Sequence, residues 1–201
     1  MTLVEDIAVK RLGLVDYSST WEAMRTFTRG RDESTPDEIW LLEHPPVYTV
    51  GQGSPLPEAR SAIPVLKTDR GGDITYHGPG QAVIYTLVDL ARRRIKVKRF
   101  VWLLEQAVID LLGGRAERKA GAPGVYVDGA KIAALGIRVV RGRAYHGLAL
   151  NVDMDLAPFA AIDPCGYPGL RVTQMKDLGF RDSPEVVAVR LADLLLEKLD
   201  A

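Results

Sequence analysis

Residues 70–81 read RGGDITYHGPGQ and carry four glycines, a proline and a histidine. The glycines on either side of Ile74–His77 predict turns, because glycine reaches positive φ without a Cβ clash. The short alternating run between them predicts a strand, with Thr75 and His77 on one face and Ile74 and Tyr76 on the other. One face can pack on a core while the other meets a ligand. This density of glycine favours a functional loop over a simple hairpin.

Length and charge limit the remaining possibilities. A chain of 201 residues is long enough to bury a large core, and we expect a single domain over residues 1–201. Lys and Arg number 26 and Asp and Glu number 26, so no bulk attraction to nucleic acid or membrane is expected. No long apolar run or signal-like N-terminus is present, which predicts a cytoplasmic protein. The sequence shows no exposed apolar stripe that a second copy could cover, so we expect a monomer.

The periodicity along the chain predicts strands mixed with helices. Strands are predicted at residues 7–15, 38–43, 47–50, 82–90, 125–127, from 132 onward and at 145–152, and residues 63–68 lead into the glycine stretch. Helices are predicted from a capping box at Ser19 and Glu22 to Gly30, at 100–112, and at 184–199 after Ser183. Asp128-Gly129 is a hairpin signal of type I′.

Four side chains outside the glycine stretch are candidates for chemistry. Cys165 is the only cysteine, so an internal disulfide is excluded, and its place in the turn DPCG favours an accessible thiol over a buried one. Lys131 lies between apolar residues on a predicted strand, where a lysine is either a surface residue or a catalyst. His44 and His146 are more typical of histidines that satisfy structural hydrogen bonds.

Residues 92–99, RRRIKVKR, form a basic run with six charges. Charge runs usually form solvated faces, and a docking surface for an acidic partner is the second interpretation. The pattern of this run alone does not decide between them.

Four segments together resemble a known family. RGGDITYHGPGQ, APGVYVDGAKIAALGIRV, YHGLALNV and DPCGY occur in that order and closely resemble the lipoyl(octanoyl) transferases, which share the fold family of lipoate and biotin protein ligases. The resemblance covers residues 44–179, about two thirds of the chain. It implies an α+β fold, with a mixed and largely antiparallel sheet backed by helices.

The resemblance also implies an activity. An octanoyl group would pass from acyl carrier protein to one lysine of a lipoyl domain, through a thioester on Cys165 with Lys131 beside it. The acceptors would be lipoyl domains of 2-oxoacid dehydrogenase E2 subunits and of the glycine cleavage H protein, with no cofactor and no metal. The implied substrate-binding residues are Arg70, Gly71, Gly72, Asp73, Ile74, Thr75, Tyr76, His77, Ala134, Leu135, Gly136, Gly147, Leu148 and Ala149. Asp73 and Ala134 depart from the family pattern, which has a neutral side chain and a serine there.

Chemistry agrees with that pair of residues. A thiol with a pKa near 8.5 is mostly protonated at pH 7, and a neighbouring ammonium favours the reactive thiolate. The donor in this family is an acidic protein, and this adds support to the interpretation of residues 92–99 as its docking surface.

Three other classes of function stay open. An ATP-dependent lipoate or biotin protein ligase on the same fold would not need Cys165. A cysteine hydrolase would pair Cys165 with His77 or His146 and release free acid. A binding module without catalysis would form no acyl adduct.

Overall fold

Two β-sheets and three α-helices make up the part of the chain that the computed structural model describes, residues 7–56, 62–162 and 169–200. The strands are β1 Ala8–Leu14, β2 Glu38–Glu43, β3 Val47–Val50, β4 Val65–Lys67, β5 Ile74–His77, β6 Gln81–Asp89, β7 Glu117–Arg118, β8 Val125–Val127, β9 Ala130–Val140 and β10 Arg143–Asn151. The helices are α1 Tyr17–Gly30, α2 Val97–Leu111 and α3 Pro184–Leu199, with 3₁₀ turns at Ala157–Ala161 and Met175–Leu178.

The larger sheet has seven strands in the order β1-β2-β6-β10-β9-β8-β7, and the smaller sheet has the order β4-β3-β5. Strand β1 runs parallel to β2 and β3 parallel to β4, whereas every other pairing in these sheets is antiparallel. The predicted mixed, largely antiparallel α+β fold is therefore confirmed.

Helices cover both faces of the larger sheet. Phe100 of α2 and Leu191 of α3 pack with Ile84 of β6 on one face. Met24 of α1 packs with Tyr85 of β6 on the other. Because β6 is buried on both faces, its sequence is a continuous apolar run rather than an alternating one.

The predicted strands are found, but two helices begin earlier than predicted. Helix α1 is capped by Asp16, whose carboxylate accepts from the Ser19 amide at 2.9 Å, so the prediction of Ser19 as the cap was wrong. Helix α2 begins at Val97 and therefore includes the end of the basic run. The cap of α3 at Ser183 is confirmed. None of the described helices combines the length and the apolar character that a membrane crossing requires.

A buried carboxylate, Asp37, holds several elements together. Its side chain is fully buried and contacts Arg31 at 2.5 Å, Arg92 at 2.8 Å and Arg93 at 2.5 Å. Burial would raise the pKa of Asp37, but hydrogen bonds from Arg93, the Asp89 amide and Arg31 outweigh burial and hold this pKa below its ordinary value. Arg92 and Arg93 of the basic run thus turn towards Asp37, and docking of an acidic partner on residues 92–99 stays a hypothesis.

We expect Asp37→Asn to lower the free energy of unfolding at pH 7 by about 3–5 kcal/mol, because it leaves three arginines around a neutral amide. The contribution of the ionised carboxylate is fully present above about pH 4 and is lost as the pH falls through its lowered pKa. Urea unfolding of wild type and variant, at pH 7 and again at a pH below about 4, measures the difference in their free energies of unfolding. Asp193→Asn, on the exposed side of α3, is the control and should change stability by less than about 0.5 kcal/mol. Equal losses in the two variants at pH 7 would contradict this role of Asp37.

Candidate active site

The loop between β4 and β5 joins the two sheets through its backbone. The Gly71 amide donates to the carbonyl of Ile137 on β9 at 3.0 Å, and the Gly51 amide donates to the Asp73 carbonyl at 3.0 Å. A Cβ on Gly51 would lie only 2.0 Å from the carbonyl oxygen of Gly72. Glycine is required at this position because the two chain segments approach each other too closely for any side chain.

Arg70 is the buried centre of this loop, with 7% of its surface exposed. Its Nη2 donates to the carbonyls of Thr49 at 2.6 Å and Asp73 at 2.7 Å, and its Nη1 donates to the Gly71 carbonyl at 2.9 Å. Its Nε donates to Thr49 Oγ1 at 3.1 Å. The guanidinium therefore fixes the loop against β3 and gives the adjoining cavity a cationic wall.

A narrow cavity, here called the slot, lies between this loop and strands β9 and β10. It contains about 470 Å³ of empty space, part of which is open to solvent. Its lining combines Tyr17, Arg70, Gly72, Asp73, Ile74, Thr75, His77, Val83, Tyr85, Ala134, Leu135, Gly136, His146, Gly147, Leu148 and Ala149. Five separate stretches of the chain, at 17, 70–77, 83–85, 134–136 and 146–149, therefore meet along one cavity.

Small residues on β9 and β10 leave the room for the slot. Gly136 lies opposite Gly147, and Ala134 opposite Ala149, in the antiparallel pairing of these strands. A Cβ on Gly147 would be 2.1 Å from the carbonyl oxygen of Ile84, so this glycine also serves close strand packing. Gly147 therefore both leaves room for the slot and permits the close approach of β10 to β6.

Two of the candidate substrate-binding residues lie outside the slot. The ring of Tyr76 packs in a separate cluster, 5.5 Å from the rings of Tyr48 and Phe159. Gly71 lines only a wider outer pocket, which shares Gly72, Asp73, Leu135 and Gly136 with the slot and extends past Ala122 and Pro123. The carboxylate of Asp73, which lines both cavities, accepts from Ser54 Oγ at 2.8 Å.

Lys131 is buried, with 4% of its surface exposed, which excludes a surface lysine. Its Nζ lies 5.5 Å from the centre of the Tyr126 ring. A Cβ on Gly124 would be 2.4 Å from Lys131 Cε and 3.0 Å from Nζ, so only glycine leaves the amine in this position. The Gly124 amide in turn donates to the buried carboxylate of Glu105 at 3.1 Å. The backbone beside the amine is thus anchored to α2.

Cys165 lies outside the described residues, within residues 163–168. The described chain that follows it meets Lys131: the Lys131 amide donates to the Arg171 carbonyl at 2.8 Å, and the Thr173 amide donates to the Lys131 carbonyl at 2.9 Å. The backbone of Lys131 is therefore paired with residues that follow Cys165 closely in sequence.

Two of the histidines have both ring nitrogens engaged. His44 Nδ1 donates to the Val15 carbonyl at 2.7 Å, so its Nε2 accepts from Tyr85 Oη at 2.9 Å. His77 Nδ1 donates to Gln81 Oε1 at 2.8 Å. Burial lowers the pKa of His44 to about 4 and that of His77 to about 3. Both rings are therefore neutral at pH 7, and the structural interpretation of His44 is confirmed.

Sequence reasoning missed three of the slot residues, Tyr17, Val83 and Tyr85, and favoured a structural role for a fourth, His146. His146 directly precedes the Gly147 segment, which is the signal that could have identified it. Tyr17 lies on α1, far along the chain from the other slot residues, and no local pattern marks it.

The chain is similar in sequence to known proteins over most of its length. The family model described as lipoyl protein ligase A/B catalytic domain matches residues 16–195. Octanoyltransferase from Aromatoleum aromaticum is 63% identical over 194 residues, covering 94% of this chain and 84% of that protein. Octanoyltransferase from Dechloromonas aromatica is 58% identical over 197 residues, covering 96% of each chain.

Solved structures show the same fold at lower identity. Lipoate-protein ligase A bound with ATP superposes with a TM-score of 0.79 at 15% identity, covering 96% of this chain and 85% of that chain. Biotin protein ligase from Aquifex aeolicus with biotin and ATP gives a TM-score of 0.58 at 12% identity, covering 96% and 70%. These likenesses show the fold alone. From the family match and the identity to curated relatives, the chain belongs to the lipoyl protein ligase A/B catalytic-domain family and, within it, to the octanoyltransferases.

Proposed function

We propose that residues 1–201 form one catalytic domain that moves an octanoyl group from acyl carrier protein to a lysine of a lipoyl domain, through a thioester on Cys165. The observation that carries this proposal is the buried Lys131, whose amine lies beside Gly124, the residue that directly follows Ala122 and Pro123 of the outer pocket. The relatives' names supply the octanoyl group. The donor, the thioester and the monomeric, cytoplasmic state remain parts of the proposal.

The slot suits an aliphatic chain. Leu135, Leu148 and Val83 supply apolar walls, and glycines at 136 and 147 leave space between the strands. Burying each methylene contributes about 0.8 kcal/mol, so a whole octanoyl tail gains about 5 kcal/mol. This energy holds the tail and leaves the carbonyl at the outer pocket.

In the first step, the Cys165 thiolate attacks the carbonyl of the donor thioester. A bond forms between this sulfur and the acyl carbon, the donor's sulfur–carbon bond breaks, and the departing thiolate takes up a proton. Lys131 is the proposed source of that proton, and its ammonium favours the attacking thiolate. The exchange replaces one thioester by another and needs no ATP.

In the second step, the amine of the acceptor lysine attacks the acyl-enzyme. An amide bond forms, the Cys165 sulfur leaves, and the proton lost by the amine returns to Lys131. Amide formation from a thioester runs downhill, so the energy stored in the donor drives the whole reaction.

The alternatives have less support. The two ligases compared above share this fold at 15% and 12% identity. The two curated relatives, at 63% and 58% identity, are octanoyltransferases. A hydrolase using His77 is disfavoured because Gln81 holds one ring nitrogen and Thr49 Oγ1 lies 3.4 Å from the other.

The exposed part of the basic run supports a docking surface for an acidic donor. Lys96, Lys98 and Arg99 are exposed at the start of α2, and the Arg99 guanidinium lies 4.2 Å from the centre of the Trp102 ring. Arg118 lies 4.5 Å from the same ring. Val101, two residues after Arg99 on α2, lines the outer pocket, so a donor bound here would be near the slot.

Incubation with octanoyl acyl carrier protein is expected to add one octanoyl group to Cys165, and apo lipoyl domain is expected to remove it. Intact-protein and peptide mass spectrometry measure both changes. Cys165→Ser should form no thioester. Lys131→Met should lower the rate of acylation by about 10²–10⁴-fold, because it removes the proposed proton carrier.

Lys176→Met is the matched control, since Lys176 is an exposed lysine paired with Asp153. Its acylation rate should equal that of the wild type. ATP-dependent transfer by Cys165→Ser would establish the ligase instead, and release of free octanoic acid would establish the hydrolase.

Arg99→Glu is expected to raise the apparent KM for octanoyl acyl carrier protein about fivefold at low salt, because it reverses a charge on the docking surface. The difference should shrink at high salt. Steady-state kinetics with octanoyl-pantetheine, which lacks the acidic protein, should not distinguish the variant from wild type. Arg29→Glu, on the helix that covers the opposite face of the sheet, is the control. An equal effect of the two substitutions would argue against this surface.

A further inference from the structure

The outer pocket is larger than the slot, with about 1190 Å³ of empty space, part of which is open to solvent. It continues from the slot, since Gly72, Asp73, Leu135 and Gly136 line both cavities. The proposed reaction places the octanoyl tail in the slot and assigns no ligand to the outer pocket. A ligand bound there would meet the acyl chain at these shared residues.

Strand β9 borders the outer pocket with a backbone edge that no described strand covers. Its neighbour β8 pairs with it only as far as Ala133, opposite Val125, whereas β9 continues to Val140. Along the uncovered stretch, the described part of the chain supplies one backbone hydrogen bond to this edge, from the Gly71 amide to the Ile137 carbonyl. The edge therefore presents N–H and C=O groups that can pair with another molecule.

The alternation along β9 identifies these groups. Successive residues of an antiparallel strand direct their N–H and C=O groups to opposite neighbours. Since the Ile137 carbonyl points to the Gly71 amide, the Ile137 amide and both backbone groups of Leu135 point to the same edge. A Cβ on Gly72 would lie 3.9 Å from the Leu135 carbonyl oxygen, which agrees with this direction. Leu135 and Ile137 are half-buried and line the pocket, so water or a ligand there can satisfy their backbone groups.

The side chains around this edge are mostly apolar. Val101 of α2, Ala122, Pro123 and Ile137 line the pocket. Of the described residues that line it, only Asp73 carries a charge, and its carboxylate is already paired with a hydroxyl. The pocket therefore suits an uncharged ligand that offers amide groups to the strand edge and apolar groups to the walls.

We propose that the outer pocket binds the pantetheine arm of the acyl donor, and that the amides of this arm pair with the open edge of β9 at Leu135 and Ile137. This inference rests on the proposed octanoyl transfer. A pantetheine arm is a chain of methylenes with two secondary amides and a pair of methyl groups. Its amides supply both the donors and the acceptors that the edge requires, and its methyl groups suit the apolar walls.

The surroundings of the pocket agree with an arm that joins a docked protein to the reacting thioester. Residues 122–123 directly precede Gly124, beside which the Lys131 amine lies. Val101 follows Arg99 of the proposed docking surface by two residues on α2. The pocket thus borders the slot, the proposed proton carrier and the basic surface. The side chain of an acceptor lysine is a less suitable ligand, because its aliphatic stem has no amide for the strand edge.

The test compares acylation of Cys165 by three octanoyl thioesters, measured as the second-order rate constant of thiol release without acceptor. Octanoyl-pantetheine has the whole arm, an analogue with one amide replaced by an ester lacks one N–H donor, and the ethanethiol thioester has no arm. For wild type we expect the rate constant to fall about threefold to tenfold with the ester analogue and about 100-fold with the ethanethiol thioester. Equal rate constants for all three would overturn the proposal.

Val101→Trp places a large ring in the outer pocket, so its acylation by octanoyl-pantetheine should be about tenfold slower than that of wild type. Its reaction with the ethanethiol thioester should be unchanged, because that donor has no arm, whereas a general distortion of the site would slow both. The amide and ester forms of the arm should also react equally with this variant, since the arm no longer reaches β9.

Val186→Trp is the control, because Val186 is an exposed valine of α3 that does not line the outer pocket. Its rate constants should equal those of wild type with every donor. Unchanged acylation of Val101→Trp by octanoyl-pantetheine, or equal slowing with both donors, would overturn the proposal. A raised KM for the lipoyl domain with unchanged acylation would assign the pocket to the acceptor instead. Failure of all three donors to acylate Cys165 in wild type is a separate outcome, which overturns the proposed function.

Discussion

The contact between the Arg70 loop and the two sheets is the constraint on which the rest of the site depends. Backbone hydrogen bonds from Gly71 to β9 and from Gly51 to Asp73 fix the position of the loop. The Arg70 guanidinium adds a hydrogen bond to the Thr49 carbonyl. Without this contact the slot would be open on the side of the Arg70 loop, because its other walls belong to the larger sheet and to α1. The glycines are needed for close approach between chain segments, and the arginine supplies the donors that buried carbonyls require.

The surroundings of Lys131 show how a buried amine is kept in one place. The absence of a side chain at Gly124 leaves space for the Lys131 side chain. The Glu105 carboxylate accepts a hydrogen bond from the Gly124 amide and fixes this backbone. Arg118 contacts the other oxygen of Glu105 at 3.1 Å, so the carboxylate is itself paired. A helix on one side of the sheet thereby determines where the proposed proton carrier lies.

Much of the fold could be predicted from sequence because strands and turns are local. The alternation of Ile74–His77 and the Asp128-Gly129 hairpin both appear as predicted, and the latter has positive φ at both residues. The burial of individual charged side chains could not be predicted from the local sequence. Nothing local distinguishes Lys131, which is buried, from a surface lysine, or Arg92, which turns to Asp37, from a solvated arginine. Cys165 lies outside the described residues, so its role remains a prediction.

The site was predictable where one segment carries it and not where distant segments converge. The family resemblance pointed to residues 70–77, 134–136 and 147–149, and all of these except Gly71 and Tyr76 line the slot. Tyr17 was not, because only the packing of α1 against β6 and β10 brings it to the slot. His146 was judged structural, and one of its nitrogens is indeed committed to Asp69, but the other is not.

The burial of all three histidines has a consequence for the protein's behaviour in acid. An unfolded histidine takes up a proton near pH 6.5, whereas His44 and His77 in the folded chain resist protonation until about pH 4 and about pH 3. Between these limits the unfolded state binds more protons, so each such ring removes about 1.4 kcal/mol of stability per pH unit of acidification. The cluster that shapes the cavity therefore also makes mild acidity, well above the range in which carboxylates protonate, a destabilising condition for this fold.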